Sequence, residues 1–229
     1  MKFTTACAAA VLALGLSAAA SAASAQDVDV SFNAAITSDY VFRGFSQTGE
    51  NAAIQGGVDV TIGSFYAGAW ASTVDFGDNT NAEIDVYGGF RGEAAGWAWD
   101  GGVIFYGYAP GANGDYDYIE VKGAVSRAFG PVTAGAAVYF SPDFFGVDDE
   151  ATYYEVNAAF TPIEKLTVSG AVGQQLLNVS DDYVTWNLGG TWALDDSLGL
   201  DVRYHDTDID SSAVPSASDR FVVTLKAAF

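Results

Sequence analysis

Apolar residues recur at every second position through most of the chain from residue 28 onward, and this alternation constrains the fold more than any other feature. In the first such segment Val28, Val30 and Phe32 alternate with Asp29 and Ser31. A period of two places successive side chains on opposite faces of a β-strand, whereas a helix needs apolar residues three and four positions apart. We count about twelve segments, each near the ~9–11 residues that cross a bilayer as a tilted strand. The pattern predicts an all-β protein.

Connectors of two lengths alternate between these segments. Gly63-Ser64 and Asp195-Asp196 are tight turns, whereas residues 110–117, 142–150 and 206–219 are long and rich in Asp. Outer-membrane barrels have short turns on the periplasmic side and long loops on the outside. We therefore predict a transmembrane, antiparallel up-and-down β-barrel of about twelve strands, with short periplasmic turns and longer acidic extracellular loops.

A soluble β-sandwich would also show alternating strands with one apolar face. We favour the membrane barrel because many residues opposite the apolar positions are small or acidic and would fit poorly into a shared core. Aromatic residues also lie near the predicted strand ends, where a membrane barrel carries its interfacial girdles. The expected girdle residues are Trp97, Trp99, Tyr116, Tyr118, Tyr153, Trp192 and Tyr204.

The first 25 residues are expected to be an export signal. Lys2 precedes an apolar stretch at residues 6–16, and Ala23-Ser24-Ala25 resembles a cleavage site of the A-x-A type. We expect cleavage before Gln26, which leaves residues 26–229 as a single barrel domain. The expected location is the outer membrane of a Gram-negative bacterium.

The composition argues against several classes of function. The chain has 9 basic and 29 acidic residues, a formal net charge of −20, which disfavours nucleic-acid binding. It has one His and one Cys, too few for multi-His or Cys-rich zinc sites. Residues 148–150 and 206–210 could hold a divalent cation, but neither matches an EF-hand loop, and we favour solvated loop charge. No metal or cofactor is expected.

Catalysis is also disfavoured. His205 is the only histidine, and no G-x-S-x-G nucleophile motif occurs. We expect no enzymatic activity and keep a barrel lipase or acyltransferase only as a minor alternative.

The polar face of the strands should line the lumen if the apolar face meets lipid. Carboxylates outnumber basic residues on that face, and rings of carboxylates favour cations. We therefore expect passive diffusion of small cationic or neutral solutes, with an occluded structural or surface-binding barrel as the alternative. The lumen-lining candidates are Asp59, Asp85, Arg91, Asp100, Glu120, Lys122, Glu155, Asp201 and Arg203.

Two regions resemble known outer-membrane proteins. The sequence FVVTLKAAF, residues 221–229, resembles the C-terminal targeting signal of such barrels, which implies that the barrel-assembly machinery recognises the strand ending in Phe229. The segment SDYVFRGFSQT, residues 38–48, together with AIQGGVDV (53–60) and FYAGAWASTVDF (65–76), resembles the TorF family of porins. This resemblance implies an outer-membrane barrel that forms a diffusion pore, with membrane lipid and small solutes or ions as its partners.

Overall fold

The computed structural model describes residues 28–110 and 116–229, and within them twelve antiparallel strands close into a barrel. The export signal expected at residues 1–25 lies outside the described residues. The barrel strands follow one another around the wall in chain order, and β1 pairs with both β4 and β14 to close it. The predicted twelve-stranded antiparallel barrel is therefore confirmed.

The barrel wall consists of β1 (Val28–Thr37), β4 (Ala53–Ile62), β5 (Phe65–Thr73), β6 (Ala82–Ala94), β7 (Trp97–Ala109), β8 (Tyr118–Phe129), β9 (Val132–Ser141), β10 (Ala151–Ile163), β11 (Leu166–Leu177), β12 (Tyr183–Ala193), β13 (Leu198–Thr207) and β14 (Arg220–Ala228). The two remaining strands, β2 (Val41–Phe42) and β3 (Phe45–Ser46), pair only with each other. Short 3-10 turns occur at Phe144–Gly146 and Pro215–Ala217. No helix among the described residues is long and apolar enough to cross a membrane.

Alternation within each strand decides which side chains face outward. Leu188 is 58% exposed at the middle of β12, and Val86, Val121 and Val156 are exposed on other strands. Such a continuous apolar surface would be unfavourable in water, but it suits the acyl chains of a bilayer. Polar and charged side chains from the alternate positions fill the interior, so this protein has a polar core inside an apolar wall.

The two ends of the barrel differ as the connectors predict. The turns between β4 and β5 and between β6 and β7 each contain two residues, and at the second of them Ala95 and Gly96 both have positive φ (52° and 77°). Two positive φ values define a type I′ hairpin turn, which matches the twist of the flanking strands. We call this side the turn end and the opposite side, with the long connectors, the loop end.

Two of the expected girdle residues point inward. Tyr118 and Tyr153 are buried inside the barrel, and Tyr116 packs against Phe76 near the loop end. Tyr118 and Tyr153 lie two positions before Glu120 and Glu155, so the strand period places them on the polar face. The expectation was wrong for Tyr118 and Tyr153 because it rested on their position near a strand end and not on the face that the alternation assigns to them. The exposed Trp97, Trp99 and Trp192 do lie on the outer face.

Candidate functional site

The connector between β1 and β4 is folded into the lumen. Its middle, residues 41–46, forms the hairpin of β2 and β3, which we call the inner hairpin. Arg43 and Gly44 at its tip have φ values of 46° and 89°, which is again the type I′ pattern. A methyl group on Gly44 would lie 2.7 Å from Thr185 Oγ1 and closer still to the Thr207 side chain. The tip of the hairpin therefore touches the barrel wall directly.

Residues 39–45 reach around most of the inner wall. They contact ten of the twelve strands through hydrogen bonds, ion pairs, ring contacts and the close approach of Gly44 to the Thr207 side chain. The wall residues met, one from each strand from β5 to β14, are Trp70, Glu83, Tyr106, Glu120, Tyr139, Tyr153, Gln175, Tyr183, Thr207 and Arg220. Residues 39–45 thus span the cross-section of the barrel.

A buried ion pair holds the tip of the inner hairpin. Arg43 Nη1 and Nη2 donate to the two carboxylate oxygens of Glu120 at 2.7 and 2.9 Å, and Nη1 also donates to Gln175 Oε1 at 3.1 Å. The side chains of Arg43 and Glu120 are only 6% and 2% exposed. The guanidinium carbon lies 4.3 Å from the ring centre of Tyr153 and 5.0 Å from that of Tyr139. Bidentate pairing and ring stacking suit a guanidinium that has lost its water.

Asp39 holds the base of the same loop. It accepts hydrogen bonds from Ser46 Oγ at 2.7 Å and Thr48 Oγ1 at 2.8 Å, and it forms an ion pair with Arg220 at 2.8 Å. Tyr40 donates to Glu83 Oε1 at 2.8 Å. The loop is therefore fixed at its base and at its tip by charged groups on the wall.

Several of the charged residues expected in the lumen form ion pairs there. Lys122 lies 3.1 Å from Asp100, and Arg203 lies 3.1 Å from Asp201. Arg203 also donates to Ser169 and Asn187. Together with the pairing of Glu120, these contacts leave Asp100, Glu120 and Asp201 electrically compensated.

The other expected carboxylates lack a basic partner within the described part of the chain. Asp59 accepts a hydrogen bond from the Tyr87 hydroxyl at 2.6 Å. Glu155 accepts from Tyr153 at 3.1 Å and from Asn157 at 2.9 Å. Asp85 is buried, and its Oδ1 has no hydrogen-bond partner.

Arg91, the remaining candidate, extends from β6 near the turn end. Its Nη2 donates to Thr61 Oγ1 at 2.9 Å, and its guanidinium lies over the ring of Tyr66. Arg91 therefore packs against the wall between β4 and β6.

A cavity of about 610 Å³ extends from the inner hairpin to the turn between β12 and β13. Its acidic lining residues are Asp39, Asp59, Asp85, Glu155, Asp195, Asp196 and Asp201, and its basic ones are Arg43, Arg203 and Lys226. Asp39 and Asp201 are paired with arginines, and Arg43 with Glu120. Five carboxyl groups and one lysine in the cavity are then left without an ion pair, so acidic groups outnumber basic ones there.

Aromatic residues fill part of the interior between the inner hairpin and the loop end. Phe145 packs against Tyr108, Tyr116 and Tyr118, and its φ of 54° is unusual for a bulky side chain. Outside the strands, the backbone N–H of Thr80 holds the pKa of Asp78 below its ordinary value, and the hydrogen bond to Asp78 raises the pKa of Tyr116. An ionised Asp78 thus anchors Tyr116 at this rim.

The loops considered for metal binding use their carboxylates locally. Asp149 accepts hydrogen bonds from the Glu150 N–H and from Asn178, and Asp210 accepts from Ser212. Within residues 28–110 and 116–229, no three His, Cys, Asp or Glu side chains are grouped to hold a metal ion. His205 lines the cavity, and no described serine is hydrogen-bonded to it.

Sequence reasoning missed the inner hairpin. Residues 38–48 carry the resemblance to a porin family, but the resemblance did not predict that they form a hairpin. The available signal was the order Phe42-Arg43-Gly44-Phe45, two aromatic residues around a pair whose second member is glycine, which favours a two-residue hairpin turn. That the hairpin folds into the lumen could not be predicted from its own residues, because the contacts that hold it come from strands distant in sequence.

Comparison with solved structures shows the fold. The structure named "KdgM porin" has a TM-score of 0.60 at 9% identity, covering 87% of this chain and 99% of that chain. The NanC porin has a TM-score of 0.57 at 9% identity, covering 88% and 99%. An outer membrane channel from Pseudomonas putida F1 has a TM-score of 0.50 at 8% identity, covering 90% and 96%. At such low identities the likeness concerns the barrel alone.

Comparison with sequences defines the family. No curated protein matches the chain. A family model described as "Bacterial protein of unknown function (Gcw_chp)" matches residues 19–229. The name TorF is not confirmed by this match. Because the match covers nearly the whole sequence, the chain belongs to the Gcw_chp family of bacterial proteins.

Proposed function

We propose that the protein is a passive outer-membrane channel for small cationic or neutral solutes. The observation that carries the proposal is the surplus of unpaired carboxylates in the 610 Å³ cavity of a closed barrel. Negative charge inside a narrow space with low-dielectric walls concentrates cations and repels anions. The apolar outer wall and the likeness of the fold to porins support placement in an outer membrane.

The inner hairpin is the constriction of this pathway. It lies between the cavity and the loop end, and residues 39–45, which include its tip, contact ten wall strands. Solutes pass beside it or when it shifts, so the Arg43–Glu120 pair controls how open the channel is.

The same contacts favour a second candidate, an occluded barrel with a structural or surface-binding role. This candidate requires the inner hairpin to stay in place, and it predicts no conductance even when the hairpin is released.

The surplus of acidic groups in this lumen should disfavour an anionic ligand of the kind bound by one structural neighbour. One KdgM porin structure is described as a complex with disordered oligogalacturonate, which is a polyanion. The cavity here has five carboxylates without an ion pair against one lysine. We therefore propose that this channel prefers cations and does not carry acidic saccharides.

The test is the reversal potential of the purified barrel in a planar bilayer across a KCl gradient. The wild type should prefer cations, and the triple variant Asp59→Asn, Asp85→Asn, Glu155→Gln should prefer them less. The control neutralises Asp148, Asp149 and Glu150 in a long loop. Its effect should fade with salt, since the Debye length falls from ~10 Å at 0.1 M to ~3 Å at 1 M. Anion preference, or no change in the lumen variant, would refute the mechanism.

A further inference from the structure

Three interior side chains form a row across neighbouring strands beside the inner hairpin. Trp70 on β5 pairs directly with Asp85 on β6, and Asp85 pairs directly with Tyr106 on β7. All three line the cavity. Directly opposed residues in an antiparallel sheet have Cβ atoms about 4.5–5.5 Å apart, so the carboxylate is flanked by an aromatic side chain on each side.

The carboxylate in this row has no partner among the described residues. Asp85 is 7% exposed, and its Oδ1 accepts no hydrogen bond. The nearby Glu83 and Glu120 add negative charge, and the arginine beside them, Arg43, donates to both oxygens of Glu120. An ionised carboxylate that is buried without hydrogen bonds or a counter-ion is costly, so this group binds either a proton or a cation.

We propose that Asp85, Trp70 and Tyr106 bind an organic ammonium ion, an inference that rests on the channel function proposed above. An ammonium group can donate to Asp85 Oδ1 and at the same time lie close to the aromatic rings, whose π-faces attract cations. Tyr40, just before the inner hairpin, and Phe42 within it pack edge-on against Trp70 and Tyr106, with centroids 5.5 and 6.0 Å apart. The aromatic lining therefore continues onto the hairpin.

A divalent metal ion fits this site less well. Calcium takes six to eight oxygen ligands, and magnesium needs octahedral oxygen geometry. Here Glu83 Oε1 accepts from Tyr40, and both oxygens of Glu120 are taken by Arg43. The residues paired with Asp85 on the adjacent strands, Trp70 and Tyr106, are aromatic and offer no carboxylate. The cavity volume of about 610 Å³ lies in the range of small-molecule sites.

The test is calorimetric titration of the folded full chain in detergent with ethylammonium chloride, and with sodium chloride at the same ionic strength. We expect ethylammonium to bind and sodium to give no comparable heat. Asp85→Asn should weaken ethylammonium binding about 10-fold or more, because a charge-assisted hydrogen bond is lost. Trp70→Leu should weaken it while leaving the carboxylate in place.

Glu93→Gln is the matched control, since Glu93 lies on the same strand and the same face as Asp85 but is exposed near the turn end. It should bind as the wild type does. Heat-modifiable gel mobility confirms that each variant is folded. Equal binding by Asp85→Asn and wild type, or equal heats with sodium, would overturn the proposal. The titration needs no current, so a barrel that binds ethylammonium without conducting would contradict only the channel function.

Discussion

Glu120 and Arg43 are 77 positions apart in sequence, yet they form a deeply buried ion pair in the lumen. Removing one partner leaves the other charge buried and uncompensated, which costs about 3–5 kcal/mol. We therefore expect Glu120→Gln to lower the free energy of unfolding in urea by roughly this amount. The control is Glu164→Gln in an exposed turn, which should have almost no effect. Equal stability of the two variants would show that the ion pair does not hold the hairpin.

The alternation of side chains along a strand predicts which face a residue lies on, but not which residue it pairs with. From sequence, Glu120, Glu155 and Asp201 look like equivalent negative charges of the lumen. In the structure Glu120 and Asp201 are paired with arginines, while Glu155 is hydrogen-bonded only by neutral groups. Pairing depends on contacts between distant strands and on a loop whose path has no periodic signal. The charges expected to govern selectivity are therefore Asp59, Asp85 and Glu155.

At the scale of the element, the inner hairpin depends on one glycine. Alanine at Gly44 would have to adopt a φ of 89° and would also collide with the Thr185 and Thr207 side chains. Gly77 has a similar φ of 77°, but a methyl group added there would meet no atom within 4 Å. Both substitutions should share a backbone cost of about 1–2 kcal/mol, whereas only Gly44→Ala should displace the hairpin.

The measurement for the hairpin is single-channel conductance. Gly44→Ala should raise the open probability or the conductance, and Gly77→Ala should leave both unchanged. Conductance that is the same in wild type and Gly44→Ala would indicate that the inner hairpin is not the constriction. No current from any of the three proteins would favour the occluded barrel.

The strands of the wall offer a direct test of register. Val223 is exposed and pairs with Val202 in the middle of the β13–β14 ladder, while the adjacent Thr224 lines the cavity. Arginine at Val223 should destabilise the barrel in vesicles by ~2–4 kcal/mol if the site is near the bilayer midplane, and arginine at Thr224 by less. Urea unfolding measures both. Equal losses would mean that the outer face does not meet lipid, because neighbouring residues point to opposite sides.

At the scale of the whole molecule, the barrel wall could be predicted from the sequence, whereas the inner hairpin could not. A period of two repeated over many segments fixes strand number, face and the alternation of turns and loops, because each strand must satisfy the same lipid–lumen boundary. The segment 38–48 contributes only two-residue strands, so no period can be read from it. The contacts of residues 39–45 with ten strands arise only after the barrel closes. The barrel wall could therefore be predicted from the sequence more fully than the path of a solute through the lumen.

Phe229 takes part in closing the barrel, and this role can be separated by experiment from its predicted recognition by the assembly machinery. The backbone N–H and C=O of Phe229 form hydrogen bonds with Phe32 at 2.9 and 3.0 Å, at the seam between β14 and β1, while its ring is exposed. Deleting Phe229 removes both the seam bonds and the ring, whereas Phe229→Asp keeps the backbone and replaces the ring with a carboxylate. If the assembly machinery recognises the aromatic side chain, both variants should fail to insert and should accumulate in the periplasm. If the seam alone matters, Phe229→Asp should insert normally and only the deletion should fail. We expect failure of both, measured as heat-modifiable protein in the outer-membrane fraction, and normal insertion of Phe229→Asp would contradict the targeting role.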